Sequence, residues 1–131
     1  MREAVLDASV VLKWFRAEGE SHVEGARALR AEFEAGRLLV VVPPLLLLEL
    51  LNVAARRWAW DEAALIELVA TLRELGFEHR QPDLESVARW TARGLTAYDA
   101  VYVALAEAEA IELVTDDKLL LDVAAAVAIP L

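Results

Sequence analysis

The stretch Ala4-Val5-Leu6-Asp7-Ala8-Ser9-Val10-Val11-Leu12-Lys13-Trp14-Phe15 decides the fold. A short apolar run, Ala4 to Leu6, ends on an acid, and Ala8 to Phe15 reads as a short helix directly behind it. A strand that runs straight into a helix opens a β–α unit, and the rest of the chain repeats that alternation. Gly19 breaks the chain, and Glu20 to Ala35 is helical, with Val23, Ala26, Leu29 and Phe33 on one face and Gly36 as a C-cap. Leu38 to Val42 reads as a buried strand. Pro43-Pro44 then opens a helix that runs to about Trp58, since proline suits a first turn. Asp61 caps a helix through Leu75, stopped by Gly76. Phe77 to His79 is a short strand, Pro82 to Arg93 a helix ended by Gly94, and Thr96 begins a helix to about Ala110. Ile111 to Thr115 is a strand, Lys118 to Ala125 a helix, and Val127 to Ile129 a terminal strand. Strands separated by helices, with no hairpin signal, imply parallel pairing. The fold class is α/β: a three-layer α/β/α sandwich around a central, mainly parallel sheet. No repeat, low-complexity segment or linker interrupts the pattern, so residues 1–131 read as one domain.

Composition narrows the functions open to this fold. With 131 residues, 58% of them hydrophobic, the chain can bury a substantial core, which excludes a disordered tail. Thirteen Lys and Arg against 22 Asp and Glu give a net charge of −9. That excludes a protein that grips nucleic acid through bulk positive charge. Cysteine is absent, so there is no disulfide framework, thiolate nucleophile or Cys-based zinc site. His22 and His79 form no ligand pair and read as structural or surface residues. Any metal must therefore rest on carboxylates, and hard oxygen ligands suit Mg²⁺ or Mn²⁺. The apolar run Leu38 to Leu48 is broken by Pro43-Pro44 and too short to span a membrane. Glu3 and Asp7 stand where a signal peptide needs apolar residues, so the expected location is the cytoplasm.

Acids are plentiful, so only their placement is informative. Asp7 ends the first strand, and Asp116 and Asp117 follow the strand Leu113-Val114-Thr115. Ligands of α/β sheets bind beyond the carboxyl ends of strands, so these acids could share one crevice. Asp99 sits in Thr96-Ala97-Tyr98-Asp99, and Glu49 interrupts a run of leucines from Leu45 to Leu51. Each has a plainer reading. Asp7 could cap the following helix, Asp99 completes a capping box with Thr96, and either Asp116 or Asp117 could cap the last helix. Glu49, Asn52 and Arg56 form a helical stripe in which Glu49 could reach Arg56, yet a partly buried carboxylate among leucines needs a partner. Jointly, four converging acids would repel one another strongly unless a divalent cation neutralised them.

Four segments in order carry a resemblance: Val5-Leu6-Asp7-Ala8-Ser9-Val10; Glu49-Leu50-Leu51-Asn52; Leu95-Thr96-Ala97-Tyr98-Asp99-Ala100-Val101-Tyr102; and Leu113-Val114-Thr115-Asp116-Asp117-Lys118. Over essentially its whole length the chain resembles a PIN-domain ribonuclease of the VapC toxin type. The resemblance implies a PIN-like fold and an acidic site of Asp7, Glu49, Asp99 and a fourth acid after the last main strand. The family's usual Thr-x-Asp puts Asp117 in the ligand position, with the Thr115 hydroxyl orienting it and Asp116 adding charge nearby. It further implies Mg²⁺ or Mn²⁺, endonucleolytic cleavage of RNA, a homodimer and a small cognate antitoxin. Lys13, Arg16, Arg56 and Arg57 could flank the groove and meet phosphates, or simply be surface. Trp58 and Trp60 could form a dimer or antitoxin contact, or pack into the core. The competing readings are a phosphoacceptor receiver, which lacks a mid-chain strand-end Asp here, a non-catalytic PIN-like scaffold, and a metal-dependent DNA nuclease or phosphohydrolase.

Overall fold

The computed structural model describes residues 1–131 and forms a single five-stranded sheet. The strands are β1 (Arg2–Leu6), β2 (Leu38–Val42), β3 (Glu78–His79), β4 (Glu112–Thr115) and β5 (Ala128–Pro130). The helices are α1 (Ala8–Phe15), α2 (Val23–Glu34), α3 (Leu45–Arg56), α4 (Glu62–Glu74), α5 (Leu84–Ala92), α6 (Ala97–Glu109) and α7 (Lys118–Val123). The strand order is β3-β2-β1-β4-β5, and every pair is parallel. From β1 the chain steps outward through β2 to β3, then crosses back to β4 and steps outward to β5. Right-handed crossovers turn that reversal into a change of face: α1–α4 cover one side of the sheet and α5–α7 the other. The contacts follow this division, with α1 on α2 and α3, α3 on α4, and α5 on α6, while α6 spans β1 and β4. This is the three-layer sandwich expected.

Burial explains the strand composition. Ala4, Val5 and Leu6 of β1 and Val40, Val41 and Val42 of β2 are wholly buried, because a central parallel strand is covered on both faces. They belong to one contiguous core of 33 residues that also takes in Trp14, Leu72, Trp90 and Tyr102. No helix is long and apolar enough to cross a membrane.

Element boundaries depart from the sequence pattern where side chains take over. Helix α2 starts at Val23, not Glu20, because His22 sits at a left-handed φ of 55°, the Glu20 side chain is drawn into an ion pair with Lys13 and the His22 ring into a hydrogen bond with Asp116. Helix α5 starts at Leu84, not Pro82, because the Asp83 carboxylate caps it by accepting the Ser86 N–H. Helix α3 ends at Arg56, before Trp58, and Ala59 turns the chain at φ 56°. Asp61 caps α4 as expected, accepting the Ala64 N–H.

Candidate active site

β1 and β4 lie side by side with Leu6 opposite Val114, so Asp7 and the Thr115-Asp116-Asp117 turn leave the sheet together. β2 flanks β1 on the other side, which makes the β1/β4 boundary the point where the strand order reverses. Crevices of doubly wound sheets open at such points.

Asp7 occupies the N-cap position of α1 but makes no side-chain cap. Its carboxylate instead accepts the Ser9 hydroxyl at 2.6 Å and the Thr115 hydroxyl at 2.5 Å. The capping role open to Asp7 from sequence is thereby overturned, because two hydroxyls compete successfully for its oxygens. Asp7 is only 4% exposed. Burial pushes its pKa up to about 6 against the two hydroxyl hydrogen bonds, and repulsion from Asp117 and Asp99 adds to the rise. The fully buried Thr115 hydroxyl also receives the Asp117 N–H at 3.0 Å. It therefore orients the Asp117 backbone, while the Asp117 carboxylate caps α7 through the Leu120 N–H at 3.1 Å.

Asp99 sits in the first turn of α6, where its N–H donates to the Thr96 hydroxyl at 3.1 Å. Partial burial and then the Asp117 charge raise its pKa. Glu49, on α3, accepts a short hydrogen bond from the Tyr102 hydroxyl, one turn beyond Asp99 on α6. Its pKa is raised by burial first and by Asp99, with the Tyr102 bond opposing. The Tyr102 hydroxyl is held far above its usual range by burial and by Glu49, so it remains a donor. Tyr102, and not Arg56, is the partner the half-buried Glu49 required.

Asp7, Asp99 and Asp117 thus fall within electrostatic reach of one another, and Glu49 within reach of Asp99, the four supplied by the end of β1, α6, the β4–α7 turn and α3. None of the four is ion-paired to a lysine or arginine. No three Asp, Glu or His side chains form a ready-made metal cage. An all-oxygen set of this openness fits a cation that keeps several waters, as Mg²⁺ does when one or two carboxylates bind it directly. Asn52 is exposed one turn beyond Glu49 and lines a cleft with it. The largest cleft, about 370 Å³, lies at the opposite end of β4 around Ala106, Ile111 and Val127 and contains none of the four acids.

Asp116 faces away from this group. Its carboxylate pairs with Lys13 at 3.1 Å and His22 at 2.7 Å, and its N–H donates to Ser9. Lys13, its side chain 3% exposed, also pairs with Glu20 at 3.2 Å, and Glu20 holds Arg57 at 3.0 Å. Buried and doubly paired, Lys13 is not the groove-side phosphate contact the sequence allowed. Arg16 pairs with Glu18 and lies over the Trp58 ring, whereas Arg56 is exposed without an ion pair. Trp58 and Trp60 pack against the core and each other, with ring centroids 5.2 Å apart. Sequence reasoning assigned no role to Ser9 or Tyr102. Their signal was placement, Ser9 two residues beyond Asp7 and Tyr102 three beyond Asp99.

Comparison with known proteins agrees with this architecture. A family model described as PIN domain matches residues 4–126. No curated protein matches the chain. Among solved structures, PAE2754 from Pyrobaculum aerophilum superposes with a TM-score of 0.68 and 26% identity, covering 97% of this chain and 83% of its own. VapC20 of Mycobacterium tuberculosis, a sarcin-ricin loop cleaving toxin, superposes at 0.66 with 22% identity over 94% of both chains, a likeness of fold. With all but its first three and last five residues inside the match, the chain belongs to the PIN domain family.

Proposed function

We propose that the protein is a metal-dependent endoribonuclease, the toxin of a toxin–antitoxin pair, working as a homodimer neutralised by a small cognate antitoxin. The observation that carries this reading is the grouping of Asp7, Asp99 and Asp117, with Glu49 beside Asp99 and no lysine or arginine ion-paired to any of them. Asp7, Asp99 and Asp117 would hold Mg²⁺ or Mn²⁺ directly or through water. Such an ion, when bound, supplies charge stabilisation to a phosphodiester under attack and lowers the pKa of water. Glu49 would contact the ion or orient the attacking water and accept its proton. Burial and the Asp99 charge raise its proton affinity, and the Tyr102 hydroxyl fixes its orientation. Ser9 and Thr115 position Asp7, and Thr115 also anchors the backbone of Asp117. Asp116 would take no part in holding the ion, since its carboxylate ties the turn to Lys13 and His22.

The deciding experiment is cleavage of single-stranded RNA with and without Mg²⁺ or Mn²⁺, with single-stranded DNA of the same sequence in parallel. RNA is cut only with the cation, and Asp7→Asn or Asp99→Asn abolishes cutting while circular dichroism stays unchanged. Wild-type-like turnover by either variant would sink the assignment. Preferential cutting of DNA would turn it towards a DNA nuclease, and no cutting of either towards a non-catalytic scaffold.

A further inference from the structure

Beside the four acids lies a cleft of about 270 Å³ lined by Leu45, Leu48, Glu49, Asn52 and Tyr98. Two of its walls are large apolar groups left in water: Tyr98 is 66% and Leu48 61% exposed. Neither the Tyr98 hydroxyl nor the Asn52 amide forms a hydrogen bond within the chain. The cleft is continuous with the acid group at two points. Glu49 lines it as well as facing Asp99, and Tyr98 directly precedes Asp99 at the start of α6.

We propose that this cleft is a nucleobase subsite, in which an unpaired base of the substrate stacks on the Tyr98 ring and presents its edge to the Asn52 amide. This rests on the nuclease reading above. The lining chemistry selects the occupant. No lysine or arginine lines the cleft, and Glu49 repels anions, so a phosphate does not belong in it. A base is neutral and planar, offers a π-face to an aromatic ring, and carries both donors and acceptors on its edge. An amide side chain also carries both, which makes Asn52 suited to base discrimination and Tyr98 to sequence-tolerant stacking. Placement does the rest: a base seated against Tyr98 brings its own backbone to the acids beside Asp99. Only a base that is out of a duplex can enter, so the substrate is single-stranded at this point.

The test separates binding from cleavage. A fluorescein-labelled short single-stranded RNA is titrated by anisotropy against the full chain carrying Asp7→Asn with Mg²⁺ present. The same titration is made after adding Tyr98→Ala or Tyr98→Phe. Tyr98→Ala is expected to weaken binding by roughly 5- to 100-fold, and Tyr98→Phe, which keeps the ring, to retain most of it. A fully paired RNA, whose bases are already stacked, shows no such dependence. In the otherwise wild-type protein, Tyr98→Ala raises KM more than it lowers kcat. Equal affinity of the parent and Tyr98→Ala proteins, or equal loss in Tyr98→Ala and Tyr98→Phe, overturns the subsite. So does dissociation of a dimer by Tyr98→Ala in sedimentation with RNA affinity unchanged, which would make this face a subunit contact. Failure of the nuclease reading shows separately, as absence of cleavage by the otherwise wild-type protein with Tyr98 intact, whereas the anisotropy arm still reads the subsite.

Discussion

Asp7 is the least comfortable residue in the molecule, because its charged form is buried beside two other acids. Its pKa rises from 3.8 when unfolded to about 6 when folded, so the folded state binds more protons between those values. The stability this protonation contributes is present below pH 4 and lost as pH rises through 6. At 1.36 kcal/mol per pKa unit, the charged Asp7 costs the cation-free protein about 3 kcal/mol at pH 7. Asp7→Asn should therefore raise the urea midpoint of the cation-free protein, by more at pH 7 than at pH 5, even as it removes activity. A variant less stable than wild type at pH 7 would show that the Ser9 and Thr115 hydrogen bonds outweigh burial. The four acids were visible in the sequence because an acid at a strand end or among leucines is unusual enough to notice. Tyr102 and Ser9 were not, because a tyrosine on a helix and a serine after a strand are ordinary, and only the fold shows which carboxylates they face. Lys13 was misread for the same reason, since nothing local tells a buried lysine from an exposed one.

Among the elements, α7 separates a structural from a chemical role at one position. Asp117 caps this six-residue helix and also raises the pKa of Asp7 and Asp99. Asparagine caps about as well as aspartate, so Asp117→Asn should keep thermal stability near wild type and lose cation-dependent cleavage. Asp117→Ala should lose cleavage and about 1 kcal/mol of stability besides. A fully active Asp117→Asn protein would leave Asp117 as a cap and nothing more. A second element-scale device is the Lys13 cluster, which ties α1 to the loop before α2 and to the β4–α7 turn. Lys13→Met leaves Glu20 and Asp116 without their shared cation and should cost roughly 3 kcal/mol in chemical denaturation, with little relief from added salt. The same cluster explains why the start of α2 was misplaced by three residues. Apolar periodicity marks where a helix can run, but the long-range ion pair of Glu20 and the hydrogen bond of His22 decide where it begins. The strands were easier to read: β1 and β2 are buried on both faces, and unbroken runs such as Leu38 to Val42 leave no competing pattern.

For the whole molecule, the net charge of −9 changes meaning once the acids are located. Part of that charge is gathered at one crevice, where a divalent cation would relieve it, so Mg²⁺ or Mn²⁺ should raise the thermal midpoint. The gain is about 2.7 kcal/mol at a hundredfold excess over Kd, and it should vanish in Asp7→Asn/Asp99→Asn. A midpoint unmoved by millimolar Mn²⁺ would count against a cation site. The strand order carries a further consequence. The hydrogen bond between Thr115 and Asp7 joins positions 108 residues apart, and β1 gains its second neighbour only when β4 arrives. During synthesis, Asp7 and Glu49 emerge early and stay incomplete while most of the chain is made. Asp99, Thr115 and Asp117 follow only after residue 98, so a polypeptide cut short before them keeps Asp7 and Glu49 without the other two acids. The acid group therefore assembles only after residues as far as Asp117 have been made and β4 has paired with β1.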